Sequence, residues 1–108
     1  MPADYPEQNS QNPRNFTPRG DITAASAAEI RVELKNLIAE GVRDLVIDMT
    51  NTRMIDSTGI GLLVATHNSL LRLNGKLAII NVSQDLMDLL KTFRLDKHFS
   101  ITGDPRLG

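Results

Sequence analysis

The chain has 108 residues, 41% hydrophobic but only 4% aromatic, no tryptophan and a formal net charge of −1. That length fits one small domain with an aliphatic core, and the near-neutral charge gives no electrostatic footprint for nucleic acid or an anionic membrane. Cysteine is absent, so disulfide and thiolate chemistry are excluded; no segment approaches the roughly 20 apolar residues that span a bilayer, and "MPADYPEQNS" lacks the basic and apolar regions of a signal peptide, which makes the cytoplasm the expected compartment.

Residues 1–15 are polar, with Pro2, Pro6 and Pro13 among many Asn and Gln. They read as a tail or an irregular edge strand, with the folded domain over 16–108. "NFTPRGDI" is ambiguous: Phe16 and Ile22 suit a short strand, but Pro18 cannot donate to a ladder, so any strand there lies at an edge or ends early. Helical spacing begins near Ala24, and Ile30, Leu34, Leu37 and Ile38 form one stripe. Ser26 followed by Glu29 fits a capping box, Thr23 is a rival cap, and Gly41 is a natural stop.

"DLVIDM" (44–49) is a short aliphatic run that suits a strand buried on both faces. A loop over 50–56 leads into a second helix, roughly 58–73, with Ile60, Leu63, Leu70 and Leu71 inward and Asn74-Gly75 at its end. "KLAIINV" (76–82) is another buried strand. Ser83 caps a third helix with Leu86, Leu89, Leu90 and Phe93 facing inward, and "DKHFSI" reads as a final turn and short strand. Alternating elements with short links predict an α/β fold with a mostly parallel sheet, helical cover and right-handed crossovers.

The stretch "MIDSTGIG" (54–61) carries the chemistry. A serine hydrolase needs a base, yet the hydrolase elbow reads G-x-S-x-G and residues 55–59 read I-D-S-T-G. His67 lies ten residues further along the same helix, ~15 Å away at ~1.5 Å per residue, so it reads as a structural histidine. Gly59 and Gly61 form a G-x-G with neither a following G-K-[ST] nor a third glycine; small residues there let the helix start pack under the strand. No His/Asp/Glu cluster has metal-ligand spacing, and Asp48 reads as a solvated strand end. Ser57 is left as a helix cap or as a residue that another protein modifies. A phosphate there adds about −1.5 to −2 charges, which a helix N-terminus tolerates and an opposing protein surface does not.

Three segments together, "GDITAASAAEI", "DLVIDMTNTRMIDSTGIGLLVATHNSL" and "GKLAIINVSQDLMDLLKTFRLDKHFSI", resemble the STAS domain, specifically the bacterial anti-sigma factor antagonists, over about residues 16–104. D-S-[ST]-G at 56–59, followed by G-I-G-L-L, is the most specific element. The resemblance implies a four- to five-stranded, mostly parallel sheet with helices packed on it, its first strand here short or irregular because "NFTPRG" stands where a second strand belongs. It implies a protein that is not an enzyme and uses no cofactor or metal. Its unphosphorylated form would bind an anti-sigma factor that is also a serine kinase, freeing the sigma factor. The kinase would phosphorylate Ser57 with ATP, and a separate phosphatase would reset it. Asp56 would orient Ser57, Thr58 would be a minor acceptor, and Asp21, Gly59 and Asn68 would join the partner surface. A rival within the family is a non-switching subunit of a lipid-transport ABC complex or of a stress-sensing assembly. A monomer is the default state, with a dimer left open.

Overall fold

The apolar runs at 44–49 and 76–82 become the two central strands of one sheet. The computed structural model describes residues 13–105. The elements are β1 (Arg14–Phe16), α1 (Ala27–Ala39), β2 (Asp44–Asp48), α2 (Ser57–Arg72), β3 (Lys76–Val82), α3 (Gln84–Thr92), a 3₁₀ turn (Leu95–Lys97) and β4 (Ser100–Gly103). The strands lie in the order β1-β2-β3-β4, and every pairing is parallel. Parallel neighbours need a crossover connection, and each of the three helices supplies one.

Register decides where the core sits. Leu45 pairs with Leu77 and Ile47 with Ile79, which puts four aliphatic side chains on one face, all buried. The buried residues of all three helices join that face in a single cluster. On the other face Val46, Ala78 and Ile80 are only half-buried. The central strands are therefore fully buried on one face, not on both as their unbroken apolar runs suggested.

β1 is a three-residue edge strand that stops before Pro18, as a residue without an N–H requires. It starts at Arg14, inside the stretch read as a tail; residues 1–12 of that stretch lie outside the described residues. Ile22 adds one isolated parallel bridge to Ile55 rather than extending β1.

Gly41 ends α1. Its φ is 107°, its N–H donates to the Ile38 carbonyl, and the Val42 N–H reaches back to Leu37, the paired closure that needs a left-handed residue after the helix. The start of α1 departs from the capping-box expectation. Ser26 has helical backbone angles and makes no side-chain cap. Its Oγ instead accepts from the Thr23 N–H at 3.1 Å and donates to the Asp21 carbonyl at 2.7 Å. Thr23 holds the turn instead, its carbonyl accepting from Ser26 and Ala27. Ser83 caps α3 as predicted, accepting from the Leu86 N–H.

Two residues assigned to the core are outside it. Leu71 is 53% exposed and Phe93 is 49% exposed. Leu71 lies next to Leu70 on the flank of the buried stripe, where about 100° of helical rotation carries it outward. Phe93 does continue the Leu86–Leu90 stripe, but it follows the last residue of α3, where the helix has run past the edge of the core. Leu70→Ala is therefore expected to cost about 2–5 kcal/mol, and Leu71→Ala within about 0.5 kcal/mol of zero. Urea unfolding of the two variants checks this; equal losses would mean that Leu71 is a core residue.

Candidate functional site

The loops over 17–26 and 50–56 leave the carboxyl ends of two neighbouring strands, β1 and β2, so they lie side by side. They are zipped together. The Ile22 N–H donates to the Met54 carbonyl at 3.1 Å and the Asp56 N–H donates to the Ile22 carbonyl at 3.3 Å. Ile22 and Ile55 are buried beneath this bridge. Thr52, also buried, donates its hydroxyl to the Gly20 carbonyl at 2.9 Å.

Two carboxylates cross between the loops. Asp21 Oδ1 accepts from the N–H groups of Arg53 and Met54, at 2.9 and 3.0 Å. In the opposite direction Asp56 Oδ2 accepts from the Ala24 N–H at 3.0 Å. The second oxygen of Asp56 accepts from the Gly59 N–H at 2.9 Å and caps α2. Each loop thus donates its amides to the other loop's acid. These bonds favour the ionised form, so the Asp56 carboxyl is held below its ordinary value, first by the Gly59 amide and then by the Ala24 amide.

Asp56, not Ser57, is therefore the cap of α2, and Ser57 is its first helical residue. Ser57 and Thr58 are exposed, Asp56 is half-buried, and Met54 beside them presents a side chain 57% exposed. Gly59 is buried under the crossing: a Cβ there would lie 2.3 Å from the Ile22 carbonyl oxygen and 2.6 Å from Ile55 Cγ2. At Gly61 a Cβ meets nothing within 4 Å. The tight-packing reading of G-x-G holds for its first glycine alone.

Asp21 and Asp56 are brought together with Ser57 and Thr58, whereas Asn68 is not in this cluster. Asn68 is exposed, eleven residues along the α2 surface from Ser57, which places it on the same flank but ~16 Å away. The loop before α1 and the 50–56 loop were expected at the partner surface, but Ile22, Thr52 and Met54 were not singled out in them, because a bridge between two irregular loops leaves no periodic mark on the sequence. His67 is buried, its ring 5.2 Å from Phe99 and 6.1 Å from His98, which fits its structural reading. Asp48 is not the solvated strand end expected of it: it is half-buried and accepts from the Thr50 N–H, the Thr50 hydroxyl and the Asn81 amide. Among the described residues no group of three or more His, Cys, Asp or Glu side chains is placed to hold a metal ion, and no helix is long and apolar enough to cross a membrane.

Fold and candidate site together define a small α/β domain that presents an exposed helix start at the carboxyl edge of a parallel sheet. The family model for the STAS domain matches residues 7–106, and the chain belongs to that family. The anti-sigma-B factor antagonist of Staphylococcus aureus is 30% identical over 84 residues, covering 78% of this chain and 69% of that protein. The crystal structure of a putative anti-sigma factor antagonist from Thermotoga maritima superposes with a TM-score of 0.81 at 15% identity, over 89% of this chain and 83% of that one. The unphosphorylated anti-sigma factor antagonist SpoIIAA gives 0.66 at 17% identity, over 82% and 77% of the two chains. A sulfate transporter family protein from Wolinella succinogenes gives 0.71 at 17% identity, over 87% and 79%.

The two glycines should respond with opposite sign. Gly59→Ala is expected to destabilise, since backbone has to move. Gly61→Ala, at an exposed helical position, should stabilise by up to about 1 kcal/mol. Denaturant melts of both decide it, and a loss at Gly61 would contradict the open space there. The Asp56 carboxylate predicts a pH dependence. Its value is depressed on folding, so its contribution is present above the ordinary 3.8 and is lost as pH falls through the lower folded value. Asp56→Asn should lower the melting temperature at neutral pH, with the gap to wild type narrowing below pH 3.8. A gap independent of pH would show that the charge is not what the two amides require.

Proposed function

We propose that this protein is an anti-sigma factor antagonist. Its unphosphorylated form binds an anti-sigma factor that is a serine kinase and so releases the sigma factor; phosphorylation of Ser57 ends the binding, and a phosphatase restores it. One observation carries the reading: Ser57 is exposed at the first position of α2 while Asp56 carries the cap, so the hydroxyl can be modified without removing the bond that starts the helix. The 30% identity to an anti-sigma-B factor antagonist supports it.

The partner surface in this reading is the zipped loop pair and the start of α2. Asp21 and Asp56 shape it through their backbone bonds, Gly59 lets the loops close, Ser57 and Thr58 face outward, and Asn68 marks its far end. Met54 gives an otherwise polar surface an apolar contact. The protein acts as a binding module in the cytoplasm and not as an enzyme, with no cofactor. A second reading, a non-switching subunit of a transport or stress-sensing assembly, is favoured by the likeness to the sulfate transporter family protein, a likeness of fold alone.

Ser57→Asp and Ser57→Ala, used as baits in lysate of the native organism, separate the two. The switch predicts a kinase-type partner held by Ser57→Ala and bound on the order of 10–100-fold more weakly by Ser57→Asp. The melting temperature of Ser57→Asp should stay nearly unchanged, because an acid in the first turn suits the helix dipole. Assembly subunits held equally by both baits would establish the second reading instead.

A further inference from the structure

The net charge of −1 conceals a segregation that the parallel sheet imposes. At the carboxyl end of the strands stand Asp21, Asp48, Asp56, Asp85 and Asp104, on strand ends, loops and the start of α3, against the two cations Arg19 and Arg53 of the same loops. At the amino end α2 and α3 finish, and there Arg72, Lys91, Arg94 and Lys97 stand exposed against the single acid Asp96 of the intervening turn. Of the other described charges near that end, Arg14 pairs with Glu40 and Lys76 with Asp44, each at 3.9 Å, and Arg43 donates to the Ile38 and Val42 carbonyls.

The same end carries three of the five large exposed hydrophobic residues of the described chain: Leu71 at 53%, Leu73 at 42% and Phe93 at 49%. The two helices are successive crossovers of the parallel sheet, so both finish at this same end. Leu71 lies one turn beyond His67 on α2, and the His67 ring stands against His98 and Phe99, just after the turn that follows α3.

We infer that this basic, apolar end docks on an anionic lipid surface. Leucine and phenylalanine at the level of the acyl boundary, flanked by arginine and lysine at the level of the headgroups, is the composition of an interfacial anchor. A bilayer receives such side chains without a matching pocket, which an acidic protein partner would have to supply. The acidic end does not oppose the contact. The 16 residues of α2 separate the two ends by ~24 Å, about three Debye lengths at physiological salt. The polarity also orients the domain: with the basic end on the lipid, Ser57 points away from the surface and stays open to a protein partner. The docking stands on the charge and apolar pattern and does not depend on the switch at Ser57.

Co-sedimentation with vesicles tests it, using pure phosphatidylcholine and phosphatidylcholine mixed with phosphatidylglycerol at about 0.1 M salt, where the Debye length is about 10 Å. The wild-type chain should pellet with the mixed vesicles and not with the neutral ones, and raising the salt should release it. Arg72→Gln combined with Lys97→Gln removes two exposed cations, each worth about fivefold in binding, so the pair should bind about 25-fold more weakly. Phe93→Ser should weaken binding at equal charge, with a melting curve confirming that the variant is folded. Ser57→Asp should bind like wild type, which keeps this result distinct from the partner switch. Failure to bind the mixed vesicles, or binding unchanged in the Arg72/Lys97 variant, overturns the inference. Binding to polyglutamate but not to vesicles also overturns it and assigns the patch to an acidic protein surface.

Discussion

The crossed carboxylates of Asp21 and Asp56 hold the working end of this domain. Each acid accepts backbone amides from the opposite loop, so neither loop reaches its conformation alone. The single bridge between Ile22 and Ile55 brings two buried side chains under the crossing. That close approach excludes any side chain at position 59 and fixes where α2 begins. An isolated strand pair of one residue is negligible as secondary structure. Stabilised by two acids, a buried threonine and two aliphatic side chains, it becomes the frame on which Ser57 is presented.

Periodic features were legible in the sequence because periodicity is local. The aliphatic runs at 44–49 and 76–82, the Ile30–Leu34 stripe, the stop at Gly41 and the cap at Ser83 each follow from a handful of neighbouring residues. Features that depend on distant partners were not legible. Ser26 and Glu29 have capping-box spacing, but the Asp21 carbonyl and the Thr23 amide engage the hydroxyl first. Asp48 looked like an ordinary strand end until Asn81, from the next strand, came within 3.0 Å. Asp56 was expected to orient Ser57 and Asp21 to face a partner, and their bonds across 32 and 33 residues of sequence could not be read from spacing. Leu71 and Phe93 failed for another reason. Leu71 lies at the level of the buried Leu70 but on the flank of the stripe, and for Phe93 the helical pattern identifies which side faces inward without saying how far the core extends.

Summed charge is blind in the same way. A parallel sheet sends every strand in one direction, so all helix starts gather at one end and all helix finishes at the other. Acids favour helix starts and bases favour helix finishes, through the same partial charges of the backbone. A parallel α/β domain built to those preferences acquires a positive and a negative end even when its net charge is close to zero. The aspartates around Ser57 and the cations after α2 and α3 are two consequences of one topology.

This polarity bears on how a phosphate at Ser57 would be received. The first turn of α2 presents backbone N–H groups, and the helix dipole favours negative charge there. The Asp56 carboxylate is satisfied by two amides and keeps its place as the cap. Adding a phosphate therefore brings charge to a position where the backbone already accommodates anions, and the domain has little reason to unfold. A protein surface pressed against the same position has no such backbone groups to offer. It would have to exclude water from a dianion lying beside an aspartate, with Met54 half-exposed at its edge. The penalty falls on the complex and not on the fold, and this is the property that a binding switch requires of its scaffold.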